Sequence, residues 1–221
     1  MKRKGLCIII TLVCAMLLVP VVQTEAASSK NKKALAAYRE LLLQNQIAWS
    51  DWSYAPAAEV NFAVADINKD GVKELILQWQ GASHAEGWDR IYTYKKGKIK
   101  SLGQFTEVKI YRNKNYFVDV YMGMGNVLAS YYRLKKNGKK ECIAKYQTSD
   151  MYPYPIGAKG KIVKKYSETF GYDVYYYAMK VNGEKVGYKE CMKKIRGLEK
   201  NAKQLSLTYY NNTWENIAAY L

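Results

Sequence analysis

Histidine occurs once in this 221-residue chain, at His84, and acidic residues number 19 against 35 lysines and arginines. A single imidazole excludes histidine-rich zinc centres, since any zinc would lean on carboxylates or on cysteines far apart in sequence. Neither G-x-S-x-G nor H-E-x-x-H is present, so the sequence marks no nucleophile elbow and no paired-histidine metal helix. No segment recurs at a fixed period, which weighs against a propeller. A long apolar run occurs only once, over the 17 residues Leu6–Val22.

That run follows Lys2, Arg3 and Lys4 and ends at "QTEAAS". A basic start, an apolar middle and small residues at Thr24 and Ala26 or Ala27 predict a secretory signal peptide over 1–27. The exported chain is then one domain, residues 28–221, secreted or held at the cell surface, with no transmembrane segment of its own. Residues 1–27 hold three basic residues and one acidic, so their removal takes the net charge from +16 to +14. An excess of that sign favours anionic partners. Outside the cell these would be anionic cell-wall polymers, acidic polysaccharide or a lipid surface, and export argues against nucleic acid. Cys7 and Cys14 leave with the signal. Cys142 and Cys191 remain, either as one bridge worth about 3–4 kcal/mol or as two buried free thiols.

Residues 32–49, "KKALAAYRELLLQNQIAW", place Leu35, Tyr38, Leu41, Leu42 and Asn45 on one side at helical spacing. After Pro56 the apolar period changes to two, starting with Val60, Phe62 and Val64. Alternating aromatic-rich segments follow, separated by Lys96-Gly97, Asn113-Lys114-Asn115 and Asn137-Gly138, and a later hairpin turns at Asn182-Gly183. Such short links join antiparallel neighbours. A helix is then expected from Tyr188, a short strand at "LSLTYY", and a last helix with Trp214, Ile217, Ala218 and Leu221 on one face. The fold class is α+β, a mainly antiparallel meander with helices at the two ends of the mature chain.

The stretch "DINKDGVKEL" is the strongest chemical signal. Asp66, Asn68, Asp70 and Gly71 match the first six positions of an EF-hand loop, but position twelve is Leu77 rather than glutamate. Its flanks are strands rather than helices. A strand–loop–strand Ca2+ site is expected instead, over residues 66–74, with ligands from Asp66, Asn68, Asp70, the Val72 carbonyl and Glu74. Waters or other groups would complete six to eight oxygens, and the role would be structural. The competing expectation is an acidic turn that needs no metal.

The pattern D-x-N-x-D-G-x-x-E-L resembles the calcium loops of FG-GAP repeats, which carry aspartate at the ninth position and come in series. More closely, the chain resembles small secreted proteins of Gram-positive bacteria with a short helix, one "DINxDGxxELIL" hairpin and segments like "YTYKKGKI" and "NGEKV". The resemblance implies a single calcium loop. With the export signal, the basic charge and the aromatic content, the chain reads as a calcium-stabilised binding or accessory module at or near the cell surface.

His84 lies in "GASHAEGWDR", beside Glu86 and Asp89. An extracellular hydrolase would use it as a base oriented by one of these carboxylates. No nucleophile is marked, and the balance leans away from an enzyme. The 21 tyrosines and five tryptophans carry more weight, because exposed rings make platforms for sugars or protein partners. A binding face is expected near Trp79, His84, Trp88, Tyr152 and Tyr154, while a sheet covered on both sides would bury most of the rings.

Overall fold

A computed structural model describes residues 29–83, 86–123, 125–151, 162–168 and 170–221. The expected signal peptide, His84, Tyr152 and Tyr154 lie outside the described residues. Helix α1 covers residues 29–42 and buries Ala34, Tyr38 and Leu42, one position per turn. It ends earlier than its periodicity predicts. Ile47 and Trp49 are both fully buried. Ile47 belongs to the next element, a two-stranded ribbon of β1 (Gln46–Ala48) and β2 (Tyr54–Pro56), and Trp49 opens its turn, donating its N–H to the Ser53 carbonyl. The β-branched Ile47 finds a pleated partner there, and Asn45 accepts the Ala57 N–H instead of continuing the helix.

Two larger sheets follow, both antiparallel. The first has five strands in the order β14 (Tyr210–Asn211), β3 (Asn61–Ala65), β4 (Glu74–Gln78), β5 (Asp89–Lys95) and β6 (Lys98–Phe105). The second begins with β7 (Val108–Ile110), β8 (Tyr116–Gly123), β9 (Asn126–Leu134) and β10 (Lys140–Ser149), each beside the last. Beyond β10 lie β12 (Tyr172–Val181), β11 (Val163–Ser167) on its outer edge, and the short β13 (Glu184–Lys185) paired to β12. Helix α2 is Tyr188–Glu199 and α3 is Trp214–Tyr220. The fold class is α+β, as expected.

Alternation on the strands assigns the layers. Leu75 and Leu77 of β4 face a core shared with α1, the ribbon and Ile217 of α3. Ile76, between them, faces a second core with Ile91, Phe105, Ile110, Phe117 and Leu134, where the two sheets pack on each other. The outer face of the second sheet carries Tyr116, Val118, Tyr131, Val174 and Tyr176 against Cys191 and Ile195 of α2. The order is therefore helix, sheet, sheet, helix. Tyrosine fills the last core because its hydroxyl can be satisfied at the helix end. Tyr116 donates to the Leu198 carbonyl at 2.8 Å, and Tyr131 donates to the Glu199 carboxylate.

The expected strand "LSLTYY" is mostly a crossing segment. Leu205 donates to the Ile110 carbonyl at the β7 edge, Leu205, Leu207 and Tyr209 pack on the inter-sheet core, and only Tyr210–Asn211 pairs with β3. Trp214 does not join the buried stripe of α3, being 63% exposed. Cys142 and Cys191 are free thiols, each directed at a β10 carbonyl, and burial pushes the Cys191 thiol up to about 11. Among the described residues no helix is long and apolar enough to cross a membrane.

Candidate functional site

Two regions at opposite ends of β4 gather the residues singled out by the sequence. The first is the loop from Asp66 to Lys73, closing the β3–β4 hairpin, whose last pair is Ala65 and Glu74. The loop winds on its own acceptors. Both Asp66 oxygens take backbone N–H groups, from Asp70 at 3.2 Å and Gly71 at 3.0 Å. Asn68 Oδ1 also accepts the Asp70 N–H, and Asp70 Oδ1 accepts that of Val72, both at 3.0 Å. The winding puts Lys69 and Gly71 at φ of 58° and 83°, and at Gly71 the missing Cβ makes this free of strain. Helix α1 grips the far side, with Asn31 Oδ1 accepting the Lys73 N–H and Tyr38 donating to the Lys73 carbonyl.

Glu74 lies beneath the loop and is fully buried. Its carboxylate accepts the Ile67 N–H and the Thr93 hydroxyl, both at 3.0 Å. Burial pushes this carboxyl up to about 8, outweighing those two donors, and the negative charges of Asp70 and Asp66 add to the shift. The Lys95 ammonium stands 2.6 Å from Asp70 Oδ2 and supplies a positive charge from within the chain. In donor chemistry the loop suits a hard cation: four oxygen-bearing side chains, three of them carboxylates, within nine residues. The carboxylates are turned onto N–H groups and Lys95, however. Among the described residues no three acidic, histidine or cysteine side chains gather into a metal cluster.

The second region joins the ribbon to the segment between β4 and β5. Glu86 is its clasp. Its carboxylate accepts Ser53 Oγ at 2.7 Å, Ser83 Oγ at 3.0 Å, and Ser50 Oγ and the Ser83 N–H at 3.3 Å. These donors, Ser53 first, hold the carboxyl below the usual glutamate range. Trp49 closes the same junction from inside. Its indole N–H donates to the Gly87 carbonyl at 3.0 Å, while its own carbonyl accepts the Arg90 guanidinium.

The expected aromatic residues divide by role. Trp79 is half-buried, edge-on to Trp49 at 5.5 Å, and its indole N–H donates to Glu59. Its ring lies over Gly81, where a Cβ would meet Nε1 at 2.5 Å. Trp88 is 39% exposed, with its indole N–H on the Ala82 carbonyl. Two exposed rings missing from the expected face stand on the ribbon beside them, Trp52 at 80% and Tyr54 at 60%. The sequence signal for them was "WSDWSY", two tryptophans and two serines in a tight turn. Asp89 does not join Glu86. It is buried toward the second sheet, where it accepts the Val108 N–H at 2.7 Å.

No protein-family model, curated protein or solved structure matches the chain.

Proposed function

We propose that the chain is a secreted, calcium-stabilised binding or accessory module acting at or near the bacterial cell surface. The observation that carries this is the set of exposed rings Trp52 and Tyr54 on the ribbon and Trp88 on the β4–β5 segment, two pieces of chain clasped together by Glu86. Flat apolar faces with indole and hydroxyl edges suit stacking on sugar rings, and a clasped pair of segments presents them with little ordering left to do on binding. Export is supported by the signal-like start. Calcium is supported by the donor set of Asp66, Asn68, Asp70, Val72 and Glu74, and by the likeness of the loop to FG-GAP calcium loops. When bound, the ion would neutralise the carboxylates and brace the hairpin. Glu86 is taken up by the hydroxyls of Ser50, Ser53 and Ser83, and Asp89 is buried toward the second sheet, an arrangement that supports a structural role for both carboxylates.

Retention on purified cell-wall polysaccharide tests the proposal. The parent protein should be retained, and a Trp52→Ala, Trp88→Ala double variant with unchanged circular dichroism should wash off. Equal retention of both would remove the aromatic loops as the binding face.

A further inference from the structure

The outer layer of the molecule, on the opposite side of both sheets from the aromatic loops, carries a different surface. In α2, Cys191 and Ile195 are buried, and Tyr188, Met192 and Leu198 pack against the same core. At 100° per residue, Lys189, Lys193, Arg196 and Lys200 fall within about 60° of one another on the opposite side. All four are exposed, and among the described residues none has an ion-pair partner. The nearest acids on the helix lie outside this sector. Glu190 is rotated to one flank, and Glu199, on the other, receives the Tyr131 hydroxyl.

Positive charge continues beyond the helix end. Lys114 Nζ donates to the Lys200 carbonyl at 2.9 Å, and Arg112 is held next to Lys203 by a backbone hydrogen bond. Beside the stripe an open recess of about 480 Å³ runs between α2 and the turn after β12. It is lined by Lys193, Lys194, Glu190, Gly197 and Asn182 among others. At Gly197 a Cβ would meet no atom within 4 Å, so nothing of the protein fills that side.

We infer that this face is a docking surface for a linear polyanion carrying phosphate on each repeat. Four cations spread over three helical turns span roughly 16 Å along one line, with one charge at about every 5 Å, which matches an extended chain rather than a single anion. The guanidinium of Arg196 can take a phosphate with two parallel hydrogen bonds, and the lysines act as point charges beside it. A lipid surface is the poorer fit. Membrane-surface helices present Leu, Phe or Trp to the acyl boundary, whereas the apolar side of α2 is used up against the second sheet. The reading of the chain as a cell-surface module supplies only the place where such a polymer would be met. The surface itself stands on its own geometry.

The test is binding of the purified protein to fluorescent long-chain inorganic polyphosphate. Four phosphate contacts predict a salt dependence near the third power, so affinity should fall about fifty-fold between roughly 50 and 200 mM salt. A Lys193→Glu, Arg196→Glu variant should lose about ten-fold or more at the lower salt. The control is Lys98→Glu, Lys100→Glu on exposed positions of β6, which makes the same change in net charge. It should retain binding within about three-fold, since distant exposed charges are largely screened. Equal losses in the two variants would mean diffuse charge attraction and overturn the proposal. Failure of the parent protein to bind at low salt would do the same, as would binding to phosphatidylglycerol vesicles but not to polyphosphate. Trp52→Ala, Trp88→Ala should leave polyphosphate binding intact, so loss of the aromatic site and loss of this one are read separately.

Discussion

The buried carboxylate of Asp89 accepts the backbone N–H of Val108 at 2.7 Å, tying the first residue of β5 in one sheet to the first residue of β7 in the other. Burial pushes this carboxyl up to about 6 from 3.8, against the opposing effect of that hydrogen bond, and Glu107 and Asp119 add to the shift. With the folded pKa above the unfolded one, the native state binds the proton more tightly. Stability therefore falls as pH rises from about 4 through about 6, by at most about 3 kcal/mol from this group. Asp89→Asn keeps an acceptor for Val108 and has no charge to bury. Urea unfolding of parent and variant should give similar stability at pH 4 and a more stable variant at pH 7.5. A difference that does not change with pH would show that the carboxyl titrates normally.

Calcium should act on the β3–β4 hairpin. At ten times a millimolar-range Kd, linkage contributes about 1.4 kcal/mol, a rise in Tm of roughly 3–6 °C for a chain of this size. The rise should be reversed by EDTA and absent in Asp66→Ala, Asp70→Ala. Lys95 sharpens the test, because its ammonium lies 2.6 Å from Asp70 and does part of a cation's work. Lys95→Gln should be less stable than the parent in EDTA and gain more from calcium. No Tm shift in either protein up to about 10 mM calcium would leave an acidic turn held by its own N–H donors and Lys95.

The hairpins were readable because their turns are local chemistry. Lys96-Gly97 and Asn182-Gly183 both take positive φ at two successive residues, 53° and 77° in the first and 51° and 89° in the second. That is the geometry glycine and asparagine announce in a two-residue turn. The end of α1 was not readable. Helical spacing continues through Ile47 and Trp49, and only the ribbon partner β2 removes them from the helix. Nor could alternation reveal two sheets. Period two tells which residues share a face, not that the chain leaves one sheet at Phe105 and starts another at Val108. The calcium-like loop was visible as a motif. The Glu86 clasp was not, because Ser50 and Ser53 are more than thirty residues from it in sequence.

Gly197 sits inside α2 with helical backbone geometry and open space where a side chain would begin. Glycine in a helix interior is less favourable than alanine by about 0.5–1 kcal/mol, through the freedom it loses on folding. Gly197→Ala should therefore raise stability by about that amount, read as a shift in the urea midpoint with an unchanged slope. The methyl group stands beside the recess and not on the basic line, so polyphosphate affinity should hold. A loss of stability would mean that the helix is distorted at this residue.

Asn212 joins the start of the described chain to its end. Its side-chain amide donates to the Leu42 carbonyl at 2.9 Å and to the Ala57 carbonyl at 3.0 Å. The first is an orphan carbonyl of the last turn of α1, which needs a donor from outside the helix. The next residue, Thr213, caps α3 by accepting the Asn216 N–H. One dipeptide thus finishes one helix and begins another on the same side of the first sheet. Asn212→Ala removes both donors and should cost about 1–3 kcal/mol. Asn212→Asp is the more telling change, because a carboxylate cannot donate and would face two carbonyl oxygens. At pH 7 the aspartate variant should be less stable than the alanine variant. Near pH 3, where the carboxyl is protonated and can donate one hydrogen bond, it should become the more stable of the two. An aspartate variant as stable as the parent at pH 7 would show that the amide's two hydrogen bonds contribute nothing.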